Sequence, residues 1–80
     1  NSPNPFNSIT TVSFRLPVKA PVRLSVFNVM GQEVVTLCEG IAEPGMHTVQ
    51  LDARDLSSGI YLIILESGRK RQSRKALLLK

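Results

Sequence analysis

The sequence predicts an all-β fold, an antiparallel β-sandwich of about six short strands, on three observations. Apolar residues alternate with polar ones in one run after another. Turn-forming residues punctuate those runs roughly every eight to twelve positions, the spacing of an all-β domain. No apolar pattern of helical period extends beyond about one or two turns, so little competes with extended chain.

Asn1-Ser2-Pro3-Asn4-Pro5-Phe6-Asn7 opens the chain. Each proline pushes its predecessor toward extended conformations, which excludes a helix. Residues 1–8 therefore read as the end of a linker, leading into a sandwich over residues 9–80. From Ile9 the period is two: Thr10, Val12, Phe14 and Leu16 point one way and Thr11, Ser13 and Arg15 the other, as in a half-buried strand. Leu16-Pro17-Val18-Lys19-Ala20-Pro21 breaks it. Val22, Leu24 and Val26 then alternate with Arg23 and Ser25 to give a second strand. Asn28-Val29-Met30-Gly31 suits a type I turn with a bulge, hence a hairpin. Gln32 to Cys38 is its return strand, with Val35 and Leu37 inward.

Glu43-Pro44-Gly45 places Pro and Gly at the centre of a type II turn. His47, Val49 and Leu51 share one face of a fourth strand. Asp52 to Gly59 is the one stretch able to hold a helical turn, with Leu56 dipping into the core. Ile60 to Glu66 is the most strongly β segment, and Ser67-Gly68 reads as a two-residue hairpin loop. Arg69 to Lys80 then pairs back along it. Two segments break the alternation, because both faces are apolar in Ile60-Tyr61-Leu62-Ile63-Ile64-Leu65 and in Leu77-Leu78-Leu79. Either a central strand is covered on both sides, or an outer face packs on something outside these 80 residues. A contiguous apolar surface of more than a few hundred Å² would favour the second.

A chain of 80 residues is one domain, and it buries only about 60% of the surface its unfolded form exposes. Small-molecule sites need clefts of roughly 300–1,000 Å³, so the size counts against catalysis. Hydrophobic residues make up 42% and charged ones 20%, an ordinary globular balance. The charge is uneven: residues 1–66 hold four basic and six acidic side chains, and residues 67–80 hold six basic and none acidic. The net charge of +4 is thus a property of the tail. The chain does not begin with Met, shows no charged-then-apolar leader, and has no stretch near the roughly 18 apolar residues of a membrane span. It reads as a soluble piece of a longer protein.

No constellation suits catalysis or a cofactor. His47 is the sole histidine and Cys38 the sole cysteine, so a nucleophile lacks its base and orienter. Cys38 reads as an inert strand residue, since buried free cysteine behaves as a small hydrophobe. Asp52 and Asp55 are spaced as a cap or turn pair, and calcium needs more oxygen ligands than this loop offers. The five glycines stand at turns and form no phosphate-cradling motif. Arg69-Lys70-Arg71 and Arg74-Lys75 are able to neutralise phosphates. Yet no aromatic interleaves them for base stacking, and cations on an exposed last strand also keep an edge from pairing with another chain. Edge protection or partner recognition therefore stands ahead of nucleic acid.

Read in order, the punctuation resembles the C-terminal sorting domain of the type IX secretion system, the Por secretion type. That family overlaps in sequence with the Ig-like domain of the flagellar hook-capping protein. Asn4-Pro5-Phe6-Asn7 with Thr10-Thr11 is similar to the family's N-P-F-N-P-x-T-T opening, Ser8 standing where proline is common. Phe14-x-Leu16-Pro17 resembles F-x-L-P. Val26-Phe27-Asn28-Val29-Met30-Gly31-Gln32-Glu33-Val34 is similar to V-[YF]-[DN]-x-x-G-[RQ]-x-V. Pro44-Gly45-x-His47 resembles the G-x-H step, and Ser58-Gly59-Ile60-Tyr61 resembles S-G-[VI]-Y. Ser73-Arg74-Lys75-Ala76-Leu77-Leu78-Leu79-Lys80 resembles the closing K-[ML]-[LV]-[LV]-x-[KR]. No single piece is specific, but the set in this order is.

The resemblance implies an Ig-like β-sandwich of about six or seven strands at the end of a secreted or surface-displayed parent, without catalytic activity or cofactor. It implies that the parent reaches the periplasm by an N-terminal signal. The outer-membrane translocon then recognises the domain, and a C-terminal-signal peptidase often removes it from its N-terminal cargo. Carried over, the sorting signal lies in Gly59, Tyr61, Arg74, Lys75, Leu77, Leu79 and Lys80. Lys80 as the last residue fits a C-terminal address. On this reading Tyr61 anchors its strand by the ring and presents its hydroxyl at the sandwich edge, while the tail offers a row of cations. Two rivals remain: a structural Ig-like spacer of an extracellular or flagellar protein, and a carbohydrate-binding accessory module. The latter is disfavoured by the absence of Trp and the single Tyr.

Overall fold

In the computed structural model, which describes residues 9–79, six strands follow one another without a helix. They are β1 (Ile9–Leu16), β2 (Ala20–Asn28), β3 (Glu33–Ala42), β4 (Gly45–Asp52), β5 (Gly59–Ser67) and β6 (Lys70–Leu78). β1 and β4 form one antiparallel sheet; the other runs β3-β2-β5-β6. Both sheets send alternate residues into one core. Val12, Leu16 and Leu51 come from the smaller sheet, and Val22, Leu24, Val26, Tyr61 and Leu65 from the larger. Leu24, Val26 and Leu51 are almost wholly excluded from solvent, so β2 is the centre of the domain.

The period-two readings of β1, β2 and β4 hold, because side chains one register apart cannot share a face. His47, Val49 and Leu51 lie opposite Phe14, Val12 and Thr10, and the rings of Phe14 and His47 stack with centroids 5.2 Å apart. His47 Nε2 donates to the carbonyl of Glu43 at 2.7 Å, a structural role for the lone histidine. The β2–β3 hairpin closes through Asn28, whose Oδ1 accepts from the amides of Met30 and Gln32 at 2.9 and 3.0 Å. Gly31 takes φ +81 there, a left-handed conformation that glycine adopts without steric cost.

Three local readings change. The return strand β3 extends past Cys38 to Ala42, carried through two register irregularities against β2. A bulge sets two residues of one strand against one of its partner, so Leu37 and Cys38 both reach the core. The stretch after Asp52 is a hydrogen-bonded turn rather than a helical one, with the Leu56 amide on the Ala53 carbonyl at 3.0 Å, although Leu56 does pack on the core. The last hairpin loop is Gly68-Arg69, one residue beyond Ser67-Gly68, because Ser67 pairs with Lys70. Glycine thereby takes the first central position, where a type II′ turn requires it, with φ +60.

Candidate recognition surface

The β5–β6 hairpin carries the residues that the sequence singles out, and β5 is built to hold it in place. Tyr61, Ile63 and Leu65 face the core, while Ile60, Leu62 and Ile64 face outward. β5 is central in its sheet, between β2 and β6, so its backbone is paired on both sides. Among the described residues no second sheet covers its outer face. Ile64 is nonetheless buried there, next to Ser25 of β2 and Ser73 of β6. Leu62 and Ile60 remain 37% and 44% exposed. They are joined by Leu77, the register partner of Ile60, which is 62% exposed. The two-sided apolar character of residues 60–65 thus reflects a core face plus an open apolar patch.

Gly59 begins β5 opposite Leu78 with φ +155, a backbone conformation that L side chains rarely adopt. Two residues on, Tyr61 is 6% exposed and its hydroxyl donates to the Ser57 carbonyl at 2.7 Å. The hydroxyl is therefore not presented at an edge. The turn before β5 folds back over it, and burial demands a partner for a phenolic O–H. Tyr61 ties the turn to the core.

β6 is an edge strand, and its cations are exposed. Alternation divides them between the two faces of the sheet instead of leaving a single row. Arg71, Lys75 and Leu77 share the outer face with their partners Glu66, Leu62 and Ile60. Lys70 and Arg74 share the other face, opposite Ser67 and Ile63. Among the described residues none of Arg69, Lys70, Arg71, Arg74 and Lys75 forms an ion pair; those that form involve Lys19, Arg23 and Arg54. Leu79 is 70% exposed just past the strand. Lys80 and the Asn4-Pro5-Phe6-Asn7 segment lie outside the described residues.

On the opposite edge of the same outer face the cation is paired. Arg23 donates both terminal nitrogens to the Glu33 carboxylate at 2.8 Å and places Nε 3.4 Å from Glu39. Its side chain thereby spans from the Glu39 register position, past Thr36, to that of Glu33. The Thr36 hydroxyl, which donates to Glu33 Oε2, and Arg23 hold the Glu33 carboxyl below the usual carboxylate range. The composition carries no hint of this cluster, but the alternation does, since it puts Arg23 on the face away from the core.

Nothing in this arrangement supports catalysis. Partial burial pushes the Cys38 thiol up, away from the reactive thiolate. Asp52 is engaged with Arg54, through both carboxylate oxygens and the Arg54 amide. No group of three or more potential metal ligands clusters among the described residues, and no helix there is long and apolar enough to cross a membrane.

No curated protein matches the chain. The sequence pattern of the family described as the secretion system C-terminal sorting domain matches residues 2–79. That is not a catalytic family: its domains are sorting signals for type IX secretion, joined to a larger parent protein that is secreted or held at the cell surface. On an all-β chain of two antiparallel sheets whose hairpin motifs follow the family order to the last strand, this match means that the protein belongs to the type IX secretion system C-terminal sorting domain family.

Proposed function

We propose that the β5–β6 hairpin is the part of this sorting domain that the outer-membrane translocon reads. Lys75, Leu77 and Leu79 supply the outward contact, Arg74 the charge on the opposite face, and Lys80 belongs to the same signal. Gly59 and Tyr61 act by holding that hairpin in register. Residues 1–8 serve as the linker from the cargo, and residues 9–80 as the domain that is read. The parent passes through the periplasm before it is recognised, and a C-terminal-signal peptidase then separates cargo from domain. The domain itself has neither enzymatic activity nor a nucleic-acid partner.

The carrying observation is that β6 presents exposed cations that form no ion pair among the described residues, next to leucines 62% and 70% exposed. Desolvating either kind of group is favourable only against a complementary surface. Deleting β6 would also expose β5, so point variants test the idea more cleanly. Residues 1–80 are fused to a periplasm-targeted reporter in a host with type IX secretion, with and without Lys75→Glu and Leu77→Ser. Both sites are exposed, where substitutions usually change stability by less than about 0.5 kcal/mol. The reporter is expected to accumulate in the periplasm for the double variant. Undiminished secretion, with the folded domain verified by circular dichroism, overturns the assignment.

A further inference from the structure

The sandwich is closed on one side and open on the other. β3 leads directly into β4 through Glu43-Pro44, and this link joins the two sheets. On the far side, β1 and β6 are both edge strands, and neither pairs with the other. Between them runs a seam of three adjoining grooves. Val12, Ile63 and Arg74 are common to the first two grooves, of about 380 and 490 Å³. Arg15, Leu65 and Gln72 are common to the first and a third, which reaches the β5–β6 turn. The floor is the inward face of β5, apolar at Ile63 and Leu65, beside Lys70, Gln72 and Arg74 on the same face of β6, and two-stranded β1–β4 is too narrow to cover it. The polar lining has one sign. Arg15, Arg69, Lys70 and Arg74 border the seam, no Asp or Glu does, and none of the four forms an ion pair among the described residues.

We infer that this seam binds an extended partner segment as an added strand on the free edge of β6. On its seam-facing side that segment has apolar residues over Ile63 and Leu65 and carboxylates facing Arg15 and Arg74. Backbone pairing with an exposed edge supplies affinity, and alternate side chains supply specificity. An edge strand of nine residues spans about 30 Å at roughly 3.3 Å per residue, enough for a partner segment of similar length. The charge of the seam selects the partner: a basic strand would meet only cations, an acidic one would pair them. The inference rests on the sorting reading for its biological occasion, since the partner would belong to the export machinery, but its binding test is independent.

The probe is a fluorescein-labelled nine-residue peptide with Val and Glu alternating at its odd positions and Ser between them, titrated by anisotropy against the full 80-residue chain at low and high salt. Binding is expected at low salt and is expected to weaken as salt rises. It should fall by about tenfold or more in Arg15→Glu/Arg74→Glu, and also for a peptide N-methylated along one backbone edge. A Val/Lys peptide should not bind. The inference is overturned if the methylated or basic peptide binds as well as the probe, or if the charge reversals leave binding unchanged. It is equally overturned if the chain takes no peptide, whether monomeric or dimerised through the seam by sedimentation. Failure here with secretion still dependent on Lys75 and Leu77 removes the seam alone. Peptide binding with secretion indifferent to those residues removes the sorting assignment alone.

Discussion

Tyr61→Phe separates the two jobs of the most informative side chain in the domain. The ring is 6% exposed and packs among Leu24, Val26, Leu65 and their neighbours, so phenylalanine keeps the packing and opens no cavity. What is lost is the hydroxyl and its 2.7 Å bond to the Ser57 carbonyl. A net hydrogen bond contributes about 0.5–1.5 kcal/mol, and the carbonyl left behind sits at a turn where water reaches it, which keeps the cost near 1 kcal/mol. For a domain of this size that lowers Tm by about 4–8 °C. Tyr61→Ala removes the ring as well and is expected to cost about 3–5 kcal/mol. The assay is thermal and urea unfolding followed by circular dichroism, with amide exchange of residues 53–58 read by NMR. The phenylalanine variant should show faster exchange in that turn while the amides of β2 stay protected. A Tm unchanged within about a degree, or a loss spread evenly over the sheet, refutes the claim that this hydroxyl ties the turn to the core.

Two further outcomes follow from the core and the charged cluster. Leu24→Ala, at a site 1% exposed between both sheets, should cost about 2–5 kcal/mol in urea unfolding, and a loss below about 1 kcal/mol would mean that the sheets do not pack there. Glu33 is held below its ordinary value near 4.5 by the Thr36 hydroxyl and Arg23. A lowered folded value means that the stabilisation is complete above the unfolded value and is lost as pH falls through the folded one. An NMR titration should therefore find the Glu33 midpoint below that of an exposed glutamate, and Thr36→Val should raise it; an unmoved midpoint contradicts the hydrogen-bonded geometry.

Much of the fold was legible because strands have a period of two and turns have few residue choices. Val12, Leu16, Val22, Leu24, Val26 and Leu51 all sit inward as their alternation indicated. The loops at Asn28–Gly31 and near Gly68 were marked by residues that tolerate unusual backbone angles. The bulges in β3 were not legible, because a bulge changes which neighbour a residue faces without changing the residues themselves. The same limit applied to Tyr61: S-G-I-Y was visible as a motif, but where its hydroxyl would point depended on how the preceding turn folded back.

The candidate surface divides in a similar way. That the last segment is basic and aliphatic is a fact of composition, and its alternation already implies that Arg74 and Lys75 face opposite sides. Which side meets the core, and which stays bare, depends on strand order. Only the β3-β2-β5-β6 arrangement makes β5 central and β6 an edge, and only a two-stranded opposing layer leaves a seam beside Arg15 and Arg74. Local sequence determines period, turns and charge, because these are set by neighbouring residues. Edges, open faces and the gaps between layers are set by contacts between segments far apart in the chain, and those exist only once the sheets have packed.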